Sequence, residues 1–226
     1  GGNENEEGLS IAIYGSNIIY IAGRTNSSDG ISTPDGYQED KAGSTQNRDA
    51  YLAKFDSDGN LTWGTYYGGN ERDEGLSVTV DGSGNPIIAG RTGSSSGISY
   101  GDDPDQENYG GIPFDAFLVK FNNSGNPQFG TYCGGGGNDE GWAVTTDASG
   151  NIYLAGQTGS GNNIATSNIH QENHNGRNDG FLVKYNNNGV KQWGTYYGGG
   201  QNENVYAVAT YGSNAVFIAG QTTSSN

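Results

Sequence analysis

One seven-residue block occurs three times and constrains the fold more than any other feature of the chain. It reads Trp-Gly-Thr-Tyr-Tyr-Gly-Gly at 63–69, Phe-Gly-Thr-Tyr-Cys-Gly-Gly at 129–135 and Trp-Gly-Thr-Tyr-Tyr-Gly-Gly at 193–199. The copies are 66 and 64 residues apart. A block that returns at a nearly fixed period is typical of repeat architectures, in which each repeat is one supersecondary unit. The sequence therefore predicts three complete repeats and part of a fourth.

Each repeat contains four short runs with the composition of β-strands. In the first repeat these runs lie at 8–14, 17–25, 49–56 and 61–68. They are rich in β-branched and aromatic residues and too short for buried helices. Four antiparallel strands per repeat, stacked on copies of themselves, predict an all-β fold of the β-propeller type, and a parallel β-helix is the less suitable alternative. We predict four-stranded blades over 1–68, 69–135 and 136–199, and half of a fourth blade over 200–226.

The strands are joined by two kinds of connection. Short turns rich in Gly, Asn and Asp join strands one and two, and strands three and four, and have the residues that hairpins require. Long polar loops near 26–48, 93–114 and 159–178 join strands two and three. Successive connections of an antiparallel sheet alternate between its two ends. The long loops and the Gly-Gly segments between blades should therefore share one face, the loop face, and the short turns should share the opposite hairpin face.

The loop face is predicted to be strongly acidic. The chain has a net charge of −15, and 18 of its 25 acidic residues fall in the long loops or between blades. Such a charge disfavours nucleic acid as a partner. The acidic residues either form a solvated surface or recruit a hard cation such as calcium. The candidate ligands for calcium are Asp102, Asp103, Asp105 and Glu107.

One repeat position, directly after the Ala-Gly that ends the apolar part of strand two, carries a hydrogen-bond donor in every repeat. It is occupied by Arg24, Arg91, Gln157 and Gln221. These side chains would enter the loop face. They could line a ligand funnel as a ring of donors, or they could cap neighbouring backbone carbonyls. We favour the second interpretation.

Other chemically active residues fit structural roles better. Cys133 stands where the other blocks have tyrosine, which predicts a buried core residue. The lysine of strand three, at 54, 120 and 184, should pack its stem along the sheet with its ammonium group at an edge or near a carboxylate. The tryptophans at 63, 142 and 193 lie in strands and should pack in the core.

Catalytic and transmembrane motifs are not evident. His170 and His174 are four residues apart, but they lie in an Asn-rich loop and lack the glutamate that a zinc protease helix has after its first histidine. No apolar run approaches the roughly 20 residues of a membrane-spanning helix, so direct membrane insertion is not expected. Gly1-Gly2-Asn3 matches Gly68-Gly69-Asn70, and we therefore expect the chain to be a segment of a larger propeller.

The repeated motifs resemble those of a known family. The Trp-Gly-Thr-Tyr-Tyr-Gly-Gly block, the strand that ends in Ala-Gly-Gln-Thr and the strand Asp-Gly-Phe-Leu-Val-Lys are similar to the bacterial SBBP β-propeller repeat. The resemblance covers essentially the whole chain. It implies a propeller of about seven blades in a secreted or cell-surface bacterial protein, with export by the type IX route. It brings no catalytic residues.

From these observations we expect a non-enzymatic binding or structural module that serves in adhesion. Its partners would be an extracellular protein or glycan and further blades of the same polypeptide. Calcium is the one cofactor that the composition suggests. The alternative is a propeller enzyme that acts on polysaccharide as a lyase or hydrolase, because propellers also host such chemistry.

Overall fold

All regular structure in the described part of the chain is β-strand. The computed structural model describes residues 1–102, 104–212 and 215–225. Its strands are β1 (Glu6–Tyr14), β2 (Ile18–Thr25), β3 (Asp49–Asp56), β4 (Leu61–Tyr67), β5 (Asp73–Val80), β6 (Pro86–Thr92), β7 (Asp115–Phe121), β8 (Pro127–Cys133), β9 (Asp139–Thr146), β10 (Ile152–Thr158), β11 (Asp179–Tyr185), β12 (Lys191–Tyr197), β13 (Glu203–Tyr211) and β14 (Ala215–Thr222). Within those ranges no helix occurs, and therefore none that could cross a membrane. The predicted all-β class is confirmed.

The strands form sheets in chain order. Strands β1–β4, β5–β8 and β9–β12 make three four-stranded sheets, and β13 and β14 make a two-stranded one. Every pairing between these strands is antiparallel. We call these the first to fourth sheets. The prediction of four-stranded antiparallel units is confirmed, and each sheet lies within one of the predicted blade ranges.

Consecutive sheets pack face to face through their first strands. Strand β5 packs on β1, β2 and β3, strand β9 packs on β5, β6 and β7, and β13 packs on β9, β10 and β11. Apolar side chains fill the space between sheets, and every residue of β7 is buried. Cys133 is fully buried in this core, and burial raises the pKa of its thiol to about 11. The expectation that Cys133 is a core residue is therefore confirmed.

The hairpin face is built from one repeated turn. Asp81 accepts hydrogen bonds from the backbone N–H groups of Ser83, at 2.8 Å, and Asn85, at 2.9 Å. Gly84 has φ of +85° there, a conformation that glycine adopts without strain. Lys120 lies 2.8 Å from the Asp81 carboxylate and is almost completely buried. The lysine of strand three thus lies near a carboxylate in this sheet, as predicted.

Candidate ligand-binding site on the loop face

The four predicted donors lie at one position in each sheet, opposite the first strand. The register pairs Arg24 with Glu7, Arg91 with Glu74, Gln157 with Glu140 and Gln221 with Asn204. In every sheet the pair lies at the loop-face end of the first two strands. Because the first strands of successive sheets pack together, these four pairs line one continuous strip across the sheets.

Each arginine of this strip bridges two sheets through carboxylates. Arg24 lies 2.6 Å from Glu7 of its own sheet and 3.0 Å from Glu74 of the next sheet. Arg91 repeats the arrangement, at 2.9 Å from Glu74 and 2.8 Å from Glu140. The favoured interpretation, that these side chains cap backbone carbonyls, was wrong for both arginines. The register places a glutamate opposite each of them, and a guanidinium binds a carboxylate more strongly than it binds a neutral carbonyl.

Two further arginines converge on Glu74. The Nε of Arg72 lies 2.5 Å from the Glu74 carboxylate, and its Nη2 also contacts it. The Nη1 of Arg48 lies 3.4 Å from Glu7 and 3.9 Å from Glu74. We call Arg24, Arg48, Arg72 and Arg91 the arginine cluster. It holds four of the five arginines in the chain.

Charge defines the character of this cluster. The side chain of Glu74 is fully buried. Burial raises the pKa of this carboxyl, but Arg91, Arg72 and Arg24 lower it by more than burial raises it. The pKa of Glu74 therefore lies below the ordinary value. Four guanidinium groups contact three carboxylates, those of Glu7, Glu74 and Glu140, in a protein whose net charge is −15. The arginine cluster therefore concentrates most of the arginines of the chain at one place on an acidic face.

The strip changes from charged to amide and aromatic groups toward the third and fourth sheets. Gln157 donates to Glu140 at 3.0 Å, and the indole N–H of Trp142 donates to the same carboxylate at 3.0 Å. Tyr206, which is half exposed, stacks on Trp142 with ring centroids 4.9 Å apart and planes 3° apart. Trp142 was expected in the core, but its side chain is only partly buried and contacts Glu140 and Tyr206. We call Glu140, Trp142, Gln157, Tyr206 and Gln221 the amide–aromatic segment.

Many acidic residues of the loop face are buried rather than solvated. Asp139 accepts hydrogen bonds from Thr158 at 2.5 Å, Ser160 at 2.7 Å and the backbone N–H of Gly135 at 2.9 Å. The equivalent carboxylate in the second sheet is Asp73, and burial raises its pKa to about 7 against three hydrogen bonds that lower it. Neither interpretation of the acidic loop face anticipated these sites.

A glutamine that sequence reasoning missed holds each long loop in place. Gln106 donates through Nε2 to Asp115 at 3.2 Å, and its Oε1 accepts from the backbone N–H of Gly134 at 3.0 Å. Gln38 and Gln171 make the same contacts in the other two complete repeats. The signal was present, since the chain reads Gln-Glu-Asp at 38–40 and Gln-Glu-Asn at 106–108 and 171–173. The long loops are thus fastened at their middles to the strand ends.

The predicted calcium ligands do not form a cluster among the described residues. Asp102 and Glu107 are exposed, and Asp105 pairs with Lys191 at 3.1 Å. Asp103 lies outside the described residues. Across 1–102, 104–212 and 215–225, no group of three or more His, Cys, Asp and Glu side chains is arranged to hold a metal ion. A calcium site in this loop stays a prediction.

The two histidines serve separate contacts. The Nε2 of His174 lies 3.2 Å from the carbonyl oxygen of Thr158, whereas the ring of His170 packs against Tyr197 at 5.8 Å between centroids.

A scan of protein-family models and a search of curated proteins both find no match to this chain. The resemblance to the SBBP repeat therefore rests on the motifs quoted above.

Proposed function

We propose that this chain is a non-enzymatic binding module of a secreted or surface-attached bacterial protein, and that it binds an extracellular protein or glycan in adhesion. The observation that carries the proposal is the strip on the loop face. There the arginine cluster and the amide–aromatic segment meet on rigid strand ends, where the first strands of successive sheets pack together. Binding sites built on such elements hold their side chains in fixed positions.

We further propose that the sheets are blades of a β-propeller of the SBBP type, with additional blades in the same polypeptide. Support comes from the way in which each first strand packs on the preceding sheet, since radial stacking of four-stranded sheets generates a propeller. The strip would then surround the axis at the end where the long loops lie. An extracellular location and export by the type IX route follow from the SBBP resemblance.

The polar groups of the strip suit binding better than catalysis. The carboxylate of Glu74 is held by arginines that keep it ionised, so it is a poor general acid. The carboxyls whose pKa is raised to about 7, Asp73 and Asp115, are completely buried and have equivalents in the other repeats, as expected of structural groups.

The test is a glycan array and an array of extracellular-matrix proteins, together with a screen for polysaccharide lyase and hydrolase activity. We expect saturable binding to at least one class of ligand and no turnover of any bound polysaccharide. Binding should weaken in a Trp142→Ala variant, because the change removes the stacking partner of Tyr206. Turnover that is abolished by Glu140→Gln would instead support the enzymatic alternative.

A further inference from the structure

Arg48 and Arg72 have guanidinium nitrogens with no hydrogen-bond partner among the described residues, on side chains that are partly exposed. Arg24 and Arg91 direct both Nη atoms at carboxylates. In the described part of the chain, no hydrogen bond or ion pair involves Nη2 of Arg48 or Nη1 of Arg72. These two side chains are also the most exposed of the four, at 28% and 42%. They therefore present free guanidinium donors to the solvent.

The two arginines are held in position by different neighbours. Arg48 donates through Nε to Asn26 at 3.3 Å, and Arg72 is fixed by Glu74. The ring of Phe114 lies 4.7 Å from the Arg91 guanidinium and 5.9 Å from that of Arg72. A guanidinium that is already oriented loses little side-chain entropy when it pairs with a carboxylate. Both side chains are therefore preorganised for an anion.

From this geometry we propose that Arg48 and Arg72 bind the carboxylate of an acidic sugar in a polysaccharide, with neighbouring sugars lying along the amide–aromatic segment. The proposal rests on the proposed binding function and names its ligand class. Arginine pairs with carboxylates through parallel N–H groups. The exposed ring of Tyr206 can stack on the apolar face of a sugar, as aromatic rings with one open face do. The amide of Gln221 can bind sugar hydroxyls.

An acidic sugar fits the strip better than an acidic protein segment does. A polyacidic peptide would have to pass the carboxylate of Glu7, whose side chain is 42% exposed, and the other acidic residues of the loop face. A polysaccharide of acidic sugars carries neutral hydroxyl groups beside each carboxylate, so it can place one carboxylate on the arginine pair and rest hydroxyl groups on the amide–aromatic segment. The mixture of free guanidinium, amide and stacked aromatic groups matches that pattern.

The experiment measures binding of the full chain to polygalacturonate, to its fully methyl-esterified form and to polyglutamate, by calorimetry at two salt concentrations. We expect polygalacturonate to bind most tightly. Arg48→Gln combined with Arg72→Gln should weaken that binding about tenfold or more, because charge-assisted hydrogen bonds are lost. Arg177→Gln is the matched control, since this exposed arginine of the same face lies outside the cluster. Arg24 and Arg91 remain in the double variant to neutralise Glu74.

The outcomes separate the ligand class from the function. If the esterified polymer binds as well as polygalacturonate and the double variant binds normally, the proposal of an acidic sugar is wrong. The proposed binding function would still stand. If polyglutamate binds more tightly than polygalacturonate, the arginine pair binds an acidic protein segment, and the proposal of an acidic sugar is wrong. If none of the three polymers binds and the arrays are also negative, both this inference and the proposed function fail.

A second inference rests on a different feature, a socket on the hairpin face that holds the turn of the following sheet. Asn123, in the turn between β7 and β8, lies against Tyr20, Lys54 and Trp63 of the first sheet. Lys54 donates to its side-chain oxygen at 2.5 Å, the indole N–H of Trp63 donates to its carbonyl at 3.1 Å, and the Tyr20 hydroxyl lies 2.9 Å from its side-chain oxygen. Next to it, Gly125 packs on the Trp63 ring, where a Cβ would lie 3.2 Å from the indole.

The third sheet carries the same three residue types with similar ring geometry, but here the tyrosine hydroxyl donates to Asp147 at 3.0 Å. Tyr153, Lys184 and Trp193 occupy the positions of Tyr20, Lys54 and Trp63. The Tyr–Trp centroids are 6.2 Å apart at 60°, against 6.0 Å and 53° in the first sheet. The lysine lies 5.5 Å from the tyrosine ring, against 6.0 Å. Among the described residues, however, no group hydrogen bonds to the Lys184 ammonium or to the Trp193 indole N–H.

We infer that the third socket binds the Asn-X-Gly turn of a strand pair that adds to the free edge of β14. The identity of this turn is inferred from the first and second sheets, where the equivalent lysine contacts an asparagine of the next sheet. Asn123 occupies the first socket, and Asn187 contacts Lys120 at 2.5 Å in the second. Both come from the turn between the third and fourth strands of the next sheet, whose first strand already packs on the preceding sheet. Strand β13 packs on the third sheet in the same way. This inference does not depend on the ligand proposal.

The test extends the full chain after Asn226 with a copy of residues 97–135. The tail Gln221-Thr222-Thr223-Ser224 corresponds to Arg91-Thr92-Gly93-Ser94, so the copy continues the fourth repeat in register. We expect acetylation of Lys184 to slow about tenfold and to match that of Lys54, an internal standard in the same molecule. The Trp193 fluorescence should shift to shorter wavelength, as for an indole removed from water.

The control carries Asn→Ala at the copied position of Asn123, which should restore the reactivity of Lys184 while hydrogen exchange shows that the added strands remain folded. An extension that stays unfolded by hydrogen exchange overturns the inference. So does one that folds while Lys184 reacts as in the original chain.

Discussion

The pKa values of aspartates at the two ends of the sheets are shifted in opposite directions. On the loop face, burial raises the pKa of Asp49 to about 6 and that of Asp115 to about 7. On the hairpin face, burial works against Lys120 and Asn85, which prevail and lower the pKa of Asp81 to about 2. Asp56, in an exposed turn, has its pKa lowered by hydrogen bonds from Asn60. The same side chain is thus a protonatable core group at one end and a permanent anion at the other.

The difference follows from what surrounds each carboxylate. A turn aspartate accepts hydrogen bonds from backbone N–H groups and an asparagine, and Asp81 also accepts one from Lys120; together these bonds outweigh the desolvation and favour the charged form. A loop-face aspartate lies under the next sheet and loses its hydration, and its hydroxyl and amide partners restore only part of that loss. Position in the sheet stack, rather than residue type, therefore determines how each carboxylate contributes to stability.

The sharpest contrast should come from removing one carboxylate at each end. Asp139→Ala leaves the hydroxyls of Thr158 and Ser160 buried without an acceptor and removes one of the two acceptors of the Gly135 N–H, and we expect the free energy of unfolding to fall by about 3–5 kcal/mol. Asp56→Ala should cost much less, because its partners lie in an exposed turn where water can replace the carboxylate. Urea denaturation of both variants provides the measurement. Equal losses would remove the distinction between the two faces.

A smaller effect is expected from the glutamine that fastens a long loop. Gln106→Ala should cost about 2 kcal/mol and should speed amide hydrogen exchange in residues 106–111, because Asp115 and the Gly134 N–H lose a partner. The matched control is Gln128→Ala, an exposed glutamine in β8, with an expected cost below about 0.5 kcal/mol. Unchanged exchange in 106–111 would mean that the glutamine does not hold the loop.

The two sets of carboxylates predict a stability maximum in mild acid. Asp49, Asp73 and Asp115 have folded-state pKa values of about 6 to 7, above the ordinary 3.8. Between pH 7 and pH 4 the native state therefore binds protons that the unfolded chain does not, and stability rises as the pH falls. Asp81, whose folded pKa is about 2, stabilises above pH 4, and this contribution is lost as the pH falls toward 2.

We expect the melting temperature at pH 5 to exceed that at pH 8 by about 4 °C or more at constant ionic strength. Asp73→Asn should reduce this difference, whereas Asp56→Asn should leave it unchanged. A melting temperature that is flat or that rises from pH 5 to pH 8 contradicts the raised pKa values. Differential scanning calorimetry at both pH values and two salt concentrations separates this effect from general repulsion among acidic residues.

The smallest expected effect concerns calcium on the loop face. Millimolar calcium should raise the melting temperature by about 2 °C, and magnesium should raise it less, because irregular oxygen sites suit the larger ion. Asp102→Asn together with Glu107→Gln should abolish the difference, and Asp58→Asn on the hairpin face is the control. Equal melting temperatures with calcium, magnesium and chelator would leave the loop as a solvated surface.

The sequence predicted strands and turns well because they depend on local patterns. The alternation of apolar runs with Gly-Asn turns is set within a few residues. Burial of Asp73, Asp115 and Asp139 could not be predicted in this way. It depends on the sheet that covers them, and a polar segment between strands gives no local sign of that cover.

The strip on the loop face could be predicted from the sequence only in part. Its pairs are separated by 17 residues in each of the three complete repeats, as in Glu7–Arg24, Glu74–Arg91 and Glu140–Gln157. That constant separation, combined with the predicted hairpin, could have revealed the carboxylate partners. The convergence of Arg48 and Arg72 on Glu74 could not, because it depends on how two sheets and a long loop meet.

The glutamine anchors also bear on how such a chain can diversify. Between the glutamine and the aspartate that it binds, the three loops contain different numbers of residues, with separations of 11, 9 and 8. A loop fixed at both ends of a short segment can gain residues there at a small entropic cost, since closure entropy grows only with the logarithm of length. Evolution can thus vary the outer surface without disturbing the sheets. A foreign peptide inserted between Gln38 and Asp49 would be displayed from a rigid base.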